Sequence, residues 1–365
     1  MNDSTYAEVK EFLDTGNMAL NRVLTGDVNK GIPVGRITTL FGESGSGKSL
    51  IAANTAAIAL KTGKVDVVYI FDSEGGTLVN VFKQHGVDMS KVNHIPVESI
   101  EKCAVKMLQT YDMLVQAREE YIKDPDNNDD VRALCILDSY GALAADKLAA
   151  DAVNKDKNAM DMGLGAKMKN NMMRGLMMRV VLSNATLLII NHEYKDPGAM
   201  FTSKVHKMAG GMGIEFASHV QLQCEKLLIK STDMDFLTGK EQDDDDTGFF
   251  RGNKFKFFVV KNRVCKPAYT ATVFIDFNYG LSKWEGLVEP AVTMGFLTEI
   301  RGGYTCATYN DGKKITYKQL MSSDEIWNTF LDSFNKKSIE MMEYSNFTSR
   351  ELDAIEAELN EDRPE

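Results

Sequence analysis

The chain has 365 residues, of which 44% are hydrophobic, 26% are charged and seven are prolines. This usage is that of an ordinary globular protein of two or three domains, and it excludes a wholly disordered or fibrous protein. No apolar run approaches the ~20 residues that cross a bilayer, which excludes a membrane protein with spanning helices. The polar segment 1–10 predicts no signal peptide. Five cysteines without a Cys-x-x-Cys pair predict neither disulfides nor a zinc site, so we expect a protein of the reducing cytoplasm.

The net charge of −10 is unevenly distributed along the chain. Arg350–Glu365 holds seven acidic residues and two arginines (−5), and Glu241–Asp246 holds five acidic residues and no basic one (−5). Lys147–Ala209, in contrast, has ten Lys or Arg against five Asp or Glu. A basic middle flanked by acidic segments is compatible with a ligand that has a phosphate backbone, although this charge pattern alone is weak evidence.

Strand-like apolar runs recur along the chain with helix-like intervals between them. The runs are Arg36–Phe41, Val65–Phe71, Val131–Leu137, Thr186–Ile190, Ser218–Cys224, Lys254–Val260 and Thr270–Asp276. The first four are almost entirely apolar, which is typical of parallel strands that are buried on both faces and joined by helices. The last three lie closer together and predict antiparallel strands at one side of the sheet.

The pattern changes after about residue 282. Glu285–Gly295 predicts a short helix and Ser323–Glu343 an amphipathic one, while Phe296–Tyr309 and Lys313–Tyr317 predict a hairpin that turns at Asn310-Asp311-Gly312. The expected organisation is an N-terminal segment (1–30), an α/β core (31–283), a small α+β domain (284–345) and an acidic tail (346–365).

A phosphate-binding motif follows the first strand. Gly42-Glu43-Ser44-Gly45-Ser46-Gly47-Lys48-Ser49 fits Gly-x-x-x-x-Gly-Lys-Ser/Thr and opens the helix-like run Leu50–Lys61. Its glycines allow backbone N–H groups to surround phosphates at a helix N-terminus. Lys48 is expected to neutralise the β- and γ-phosphates of ATP, and the Ser49 hydroxyl to ligate Mg²⁺.

Polar residues end three of the other apolar strands, where open α/β sheets place their ligands. Asp138 suits a role in holding Mg²⁺, and Glu74 is our candidate for the carboxylate that deprotonates the attacking water. Asp72 and Asp138 are open to a second interpretation as helix N-caps. His192 lies where a side chain can report the γ-phosphate, but a structural role for a lone histidine is as well supported.

Several short motifs together resemble the RecA family, and most closely the UvsX-type recombinases of bacteriophages. They cover about residues 14–344, and their ordered combination is highly specific. These motifs are Gly31-Ile-Pro-Val-Gly-Arg-Ile-Thr, Asp72-Ser-Glu-Gly-Gly, Gly86-Val-Asp, Leu137-Asp-Ser, Met162-Gly-Leu-Gly-Ala-Lys-Met, Ile190-Asn-His, Ala209-Gly-Gly-Met-Gly and Val260-Lys-Asn-Arg.

The resemblance implies a RecA-like P-loop ATPase core, with a mostly parallel twisted sheet flanked by helices and a small C-terminal α+β domain. It implies a DNA-dependent ATPase that uses ATP and Mg²⁺, forms a helical filament on single-stranded DNA and exchanges strands with homologous double-stranded DNA. By the same likeness Glu74 is the catalytic base, and Lys261 and Arg263 reach the γ-phosphate held by the neighbouring protomer. Partners would include a single-strand-binding protein and a mediator or loader protein, in the cytoplasm of a host cell if the chain is of phage origin.

Two segments resemble the DNA-binding loops of that family. Matching along the first assigns DNA contacts to Met162, Lys167, Asn170 and Arg174, of which the last three share a helix face. The second segment spans 193–209, and the helix after it opens at a glycine pair. Its DNA-binding candidates are Lys195, Phe201, Lys204, Lys207, Gly210 and Gly211. Phe201 suits insertion between bases, whereas the alternative for this segment is a surface lid.

Two other functions stay open on the sequence alone. A helicase-type motor built on the same core would share the phosphate-binding motif but would move along nucleic acid instead of exchanging strands. A small-molecule kinase with a P-loop would need a substrate lid and no DNA-binding loops. Three observations separate these functions. A filament on single-stranded DNA would favour a recombinase, a hexameric ring a helicase, and ATP turnover that is independent of DNA a kinase.

Overall fold

The computed structural model describes residues 8–126, 128–146, 162–194, 207–227, 252–276 and 280–344. Among the predicted site residues, Lys195, Phe201 and Lys204 lie outside these ranges, as do both acidic segments. The strands are β1 (Phe12–Leu13), β2 (Ile32–Pro33), β3 (Ile37–Gly42), β4 (Val67–Asp72), β5 (Val92–Pro96), β6 (Ala133–Asp138), β7 (Thr186–Tyr194), β8 (Lys207–Met208), β9 (Val220–Leu227), β10 (Gly252–Asn262), β11 (Thr270–Asp276), β12 (Gly280–Leu281), β13 (Thr298–Ile300) and β14 (Gly303–Thr305).

Helices connect and cover these strands. They are α1 (Met18–Thr25), α2 (Lys48–Lys61), α3 (Thr77–Gln84), α4 (Ile100–Lys123), α5 (Met162–Ser183), α6 (Met212–Ala217), α7 (Val288–Thr293), α8 (Tyr317–Ser322), α9 (Asp324–Asn328) and α10 (Leu331–Met342). Two 3₁₀ turns, Met89–Lys91 and Asn310–Gly312, complete the described elements. Among the described helices, none has the combination of length and apolar character that a membrane crossing requires.

One large sheet organises the protein, with strand order β12-β11-β10-β9-β3-β7-β6-β4-β5 and β8 paired to β7. The strands from β9 to β5 in this order are mutually parallel. β10, β11 and β12 extend the sheet in antiparallel fashion. This confirms the predicted α/β architecture with a mostly parallel sheet.

The central parallel strands β3 and β6 are buried along their whole length, as expected for strands that are covered on both faces. Successive residues of β6 alternate between two hydrophobic clusters: Leu134 and Ile136 belong to one, and Cys135 and Leu137 to the other. The five cysteines are all buried free thiols.

Two strand predictions need correction. Ser218–Cys224 was expected among the antiparallel strands, yet the corresponding β9 pairs in parallel with β3 and only its other neighbour, β10, is antiparallel. β5 has no predicted counterpart, because its residues Val92–Pro96 include Asn93 and His94 and carry no apolar run. It is nevertheless held by parallel pairing to β4.

The C-terminal hairpin differs from the prediction. β13 and β14 pair around Arg301 and Gly302, and the left-handed φ of 72° at Gly302 suits this tight turn. Asn310–Gly312 forms a 3₁₀ turn, and the predicted partner strand is reduced to a single bridge between Tyr304 and Ile315.

The single helix predicted over Ser323–Glu343 is interrupted between α9 and α10. Phe330 has non-helical backbone angles (φ −138°, ψ 0°) and is 4% exposed, with its ring stacked on Phe296 at 5.6 Å. Tertiary packing therefore overrides the continuous amphipathic pattern. Trp284 and Trp327 of this region belong to the same hydrophobic cluster as α1 and β11, and the proposed domain boundaries stay predictions.

Candidate active site and nucleic-acid interface

Strand register gathers the predicted nucleotide-site residues at the carboxyl edge of the sheet. Gly42 at the end of β3 lies beside His192 of β7. Asp138 at the end of β6 lies between Ile190 of β7 and Asp72 of β4. Gly42 and His192, which are 150 positions apart in sequence, are thus direct neighbours. The polar residues that end the apolar strands therefore lie together at one edge of the sheet.

The phosphate-binding motif forms a loop between β3 and α2. Gly47 caps α2 with a left-handed φ of 88° and no side-chain hydrogen bond, so side chains do not occupy the first N–H groups of the helix. At Gly42 a Cβ atom would lie 2.0 Å from the carbonyl oxygen of Cys224, which only glycine avoids. Ser49 lies in the first turn of α2. This backbone arrangement fits the phosphates of a nucleotide.

Lys48 is buried inside this loop. Its Nζ donates to the carbonyl oxygens of Gly42 at 2.9 Å and Glu43 at 2.7 Å, and to Ser46 Oγ at 3.3 Å. Burial lowers the pKa of Lys48, and the nearby Cys224, Asp138, Glu74 and Glu193 oppose that shift. Lys48 is therefore held by the same loop whose bound phosphates it is expected to neutralise.

Glu74 is oriented by two side chains that come from different strands. Its Oε1 accepts a hydrogen bond from Ser139 Oγ at 2.7 Å and lies 2.6 Å from His192 Nε2. Burial raises the pKa of Glu74, but these hydrogen bonds outweigh it and hold the pKa below its usual value. Among the described residues, Oε2 takes no hydrogen bond, which leaves this oxygen available to a water molecule. Ser139 was not predicted from the sequence.

Asp138 is a buried carboxylate without a direct ionic partner among the described residues. Burial, together with the charges of Glu74 and Asp72, raises its pKa to about 7. A carboxylate so placed fits a divalent cation, because the cation would supply the missing positive charge. No group of three or more His, Cys, Asp or Glu side chains in the described ranges could hold a metal by itself. A Mg²⁺ ion would therefore depend on phosphate oxygens, with Ser49 and Asp138, for its ligands.

Asp72 is not the helix N-cap that the sequence left open, because the N-cap of α3 is Gly76; it holds the turn before that helix instead. Its Oδ1 accepts hydrogen bonds from the backbone N–H groups of Glu74 and Gly75, and its Oδ2 accepts one from Gly76. The carboxylate thus fixes the turn between β4 and α3, on which Glu74 lies. His94 Nε2 contacts the same Oδ2 at 2.8 Å. His94 was not predicted from the sequence, because it lies on β5, a strand without an apolar run.

Lys261 and Arg263 meet at one place on the protein. Lys261 Nζ donates to the carbonyl oxygen of Glu215 at 2.6 Å, and both cations donate to that of Phe216 at 3.3 Å. These carbonyls end α6, where the backbone carries partial negative charge. Burial, followed by the charge of Arg263, lowers the pKa of Lys261.

The electrostatic field at this end of β10 is positive. Burial, followed by the charges of Arg36, Arg263 and Lys261, lowers the pKa of His219 to about 4. A neutral histidine surrounded by three cations marks a region that favours an anion.

The first DNA-binding segment becomes α5, although its residues 153–161 lie outside the described ranges. Lys167 and Arg174 are exposed on α5, as expected for phosphate contacts. Asn170 is half-buried, and its side chain lies so close to Gly213 that a Cβ atom there would be 2.7 Å from Asn170 Oδ1. The position of Met162 at the start of α5 is described, but its side chain is not.

Other residues of α5 have structural positions. Met172 and Met173 are buried in the core at 3% and 1% exposure, whereas Met178 is 62% exposed. Lys169, which was not predicted, is buried: its Nζ donates to the carbonyl oxygen of Gly141 at 3.2 Å and lies 5.3 Å from the centre of the Tyr140 ring.

The second DNA-binding segment is described only at its ends. Lys207 is exposed in β8, which pairs with β7, and Gly211 caps α6. Gly210 contacts Tyr140 closely, since a Cβ atom there would lie 2.4 Å from the ring. The end of this segment therefore packs against Tyr140. Tyr140 follows Asp138 by two residues, so this contact lies near the nucleotide site.

At Val81 the sequence departs from the resemblance, because the family's adenine-stacking aromatic would fall on this position, with Phe82 beside it. Phe82 is fully buried in the hydrophobic core, and Val81 packs against that core. The Phe82 ring is thus unavailable for stacking on a base.

Comparisons with known proteins agree with this geometry. The family model of the RecA N-terminal domain matches residues 1–282. The chain is 26% identical to a recombination and repair protein of Enterobacteria phage T4 over 308 residues, which are 84% of this chain and 70% of that protein. It is also 26% identical to protein RecA of Aquifex aeolicus over 321 residues (87% of this chain, 81% of that protein). For protein RecA of Mycoplasma pneumoniae, 26% identity extends over 325 residues (88% and 84%).

Proposed function

The chain belongs to the family of the RecA N-terminal domain, and from that membership we propose that it is an ATP-dependent DNA recombinase. It coats single-stranded DNA as a filament, pairs that strand with homologous duplex and exchanges strands. Proteins of this family are in general DNA-dependent ATPases that use ATP with Mg²⁺ and form filaments on DNA. The assignment of particular residues of this chain to those activities is our proposal.

One observation carries the catalytic part of the proposal. Glu74 is held through Oε1 by Ser139 and His192, at the edge of the sheet where the phosphate-binding loop begins, and its Oε2 is open. A base must be fixed in orientation and ionised at the working pH, and the lowered pKa of Glu74 meets the second condition. The geometry suits abstraction of a proton from water by Oε2.

The other residues of the site bind the nucleotide. Backbone N–H groups of Gly45, Gly47 and the first turn of α2 surround the phosphates, and Lys48 neutralises their charge. Ser49 and Asp138 hold Mg²⁺, which when bound offsets the charge of the phosphate oxygens. His192 contacts Glu74 directly, so a displacement of His192 by the γ-phosphate changes the orientation of the base.

Lys261 and Arg263 complete the site of a neighbouring protomer. The support for this is the family resemblance together with a shared, positively charged location at the end of β10. Cations supplied from a second subunit stabilise the charge that develops on a transferred phosphoryl group. ATP turnover then depends on assembly, which single-stranded DNA promotes.

DNA contacts are assigned to two regions. Lys167 and Arg174 on α5 bind phosphates, with Met162 and Asn170 beside them. The second region contributes Lys195, Phe201, Lys204, Lys207, Gly210 and Gly211. A single-strand-binding protein and a loader protein are further partners expected from the family resemblance alone.

The test combines microscopy with two assays. Negative-stain images with ATP and single-stranded DNA should show filaments, ATP turnover should rise with single-stranded DNA, and strand exchange should require a homologous duplex. Hexameric rings with directional movement would instead support a helicase-type motor. ATP turnover that ignores DNA, without filaments, would contradict both functions.

A further inference from the structure

A histidine from the edge strand of the sheet completes the hydrogen bonding of Asp72. We propose that His94 is a positioning residue for ATP hydrolysis, acting through Asp72 on the turn that presents Glu74. This inference rests on the proposed function, because it takes Glu74 as the base. It assigns a role to a residue outside the phosphate-binding loop, the metal ligands and the DNA-binding segments.

Strand register explains why His94 reaches Asp72. β5 pairs in parallel with β4, with His94 opposite Ile70 and Pro96 opposite Asp72. Side chains alternate along a strand, so Asp72 and Ile70 point to the same face of the sheet, and their β5 partners do as well. His94 is therefore one step along the strand from Asp72 on the same face, and its Nε2 lies 2.8 Å from Asp72 Oδ2.

The hydrogen bonds of Asp72 leave little freedom to the turn that it holds. Its side chain is 2% exposed, and its two oxygens accept the N–H groups of Glu74, Gly75 and Gly76. With the contact to His94 the carboxylate has four donors, two on each oxygen. A buried carboxylate is costly unless its lone pairs are satisfied, so the fourth donor stabilises the whole arrangement.

His94 also separates this carboxylate from solvent. Its side chain is 34% exposed while that of Asp72 is almost fully covered. Removing the imidazole both withdraws a donor from Oδ2 and opens the carboxylate to water. Water competing for Oδ2 loosens the bond from Gly76, and the turn that carries Glu74 gains freedom.

The consequence is specific to catalysis. Oε1 of Glu74 is fixed by Ser139 and His192, whereas the backbone of Glu74 is fixed by Asp72. Because Glu74 is held both at its backbone N–H and at Oε1, its Oε2 stays in one place. Small displacements of a reacting group reduce rates strongly. Nucleotide binding depends on the separate loop between β3 and α2, so it should be unaffected.

The experiment compares variants of His94 in the full chain on single-stranded DNA. His94→Leu removes the donor, His94→Asn keeps a polar side chain that is too short to reach Asp72, and His94→Gln can place an amide N–H near the position of Nε2. His85→Leu is the matched control, because His85 directly follows the nearby α3 and the one hydrogen bond of its ring in the described residues is from Nδ1 to the backbone oxygen of Val81. The quantities measured are kcat, KM for ATP, DNA affinity and Tm, with Glu74→Gln assayed in parallel.

We expect His94→Leu and His94→Asn to lower kcat about 10-fold with KM and DNA affinity unchanged, and His94→Gln to restore most of kcat. His85→Leu should keep the parent kcat. A parent kcat in folded His94→Leu or His94→Asn, while Glu74→Gln is slow, overturns this inference and leaves the proposed function intact. A loss of Tm without loss of kcat also overturns it. A parent rate in Glu74→Gln overturns the assignment of the base and this inference with it.

Discussion

His192 Nε2 lies 2.6 Å from Glu74 Oε1, so a residue of β7 contacts the turn after β4 across the intervening strand β6. Ser139, which directly follows β6, donates to the same oxygen. Three neighbouring strands therefore converge on one carboxylate oxygen. The side chains that orient Glu74 therefore come from β6 and β7, whereas the loop after β3 supplies the groups that bind the phosphates.

The first prediction concerns Glu74→Gln. The amide keeps the size of the side chain and cannot accept a proton, so ATP and DNA should stay bound while kcat falls by ~10²–10⁴-fold. Steady-state ATP hydrolysis and filter binding of labelled ATP measure the two effects. Glu119→Gln, an exposed change on α4, is the control and should be fully active. Hydrolysis near the parent rate in Glu74→Gln would show that another group is the base.

The second prediction is a shift in pH dependence. Burial opposes ionisation of Glu74, and the hydrogen bonds from Ser139 and His192 lower its pKa below the usual value. Ser139→Ala removes one donor to the charged form, so the pKa of Glu74 should rise and the acidic limb of the kcat profile should move to higher pH. Ser322→Ala, whose hydroxyl bonds a carbonyl of its own helix, should leave the profile unchanged. A shift to lower pH in Ser139→Ala would contradict the assignment.

The sequence predicted the parts of this site that follow from local pattern. The residue spacing in Gly42–Ser49 predicts the phosphate-binding loop. Asp138 ends an apolar strand, and the composition of that strand predicts that it is buried on both faces. The contacts of Glu74 could not be inferred in the same way, because they depend on the order of strands: β6 lies between β4 and β7, which no local pattern specifies.

Three features could not be predicted from the sequence, each for a physical reason. His94 lies on an edge strand, β5, whose pairing to β4 substitutes for the apolar pattern that marks buried strands. Lys169 was not among the predicted DNA contacts, and its burial against Tyr140 and the carbonyl oxygen of Gly141 depends on how α5 packs on the segment after β6, which no local pattern specifies. The break at Phe330 is a third case, where ring packing decides the end of a helix.

The third prediction tests the shared site. Lys48→Ala should lose ATP binding, and Arg263→Ala should bind ATP but turn it over slowly. If Arg263 acts on the neighbouring protomer, an equal mixture of the two variants contains complete interfaces, about a quarter of the total for random head-to-tail assembly. Activity should therefore reappear on mixing, measured as ATP hydrolysis at saturating single-stranded DNA. Full activity of Arg263→Ala alone, or a mixture no more active than its components, would contradict action between protomers.

The last prediction separates charge from stacking at the DNA interface. Lys167 and Arg174 are exposed on α5, and each is expected to bind a phosphate. Replacing both with Gln should weaken binding about equally for every DNA sequence, and it should flatten the dependence of log affinity on log salt by roughly 0.7 for each lost contact on single strands. Lys123→Gln, an equally exposed change at the end of α4, should leave the salt dependence unchanged.

Phe201→Ala should behave differently, and this expectation rests on sequence because Phe201 lies outside the described residues. An inserted ring contributes stacking, on the order of 1–3 kcal/mol per base, and no charge. Binding should weaken with the salt slope unchanged, and strand exchange should be impaired. The measurement is fluorescence anisotropy of labelled single strands over a salt series, followed by a strand-exchange assay. A flattened salt slope in Phe201→Ala, or an unchanged slope in the Lys167 and Arg174 variant, would reverse the roles given to the two segments, because only the loss of a phosphate contact changes the number of released counterions.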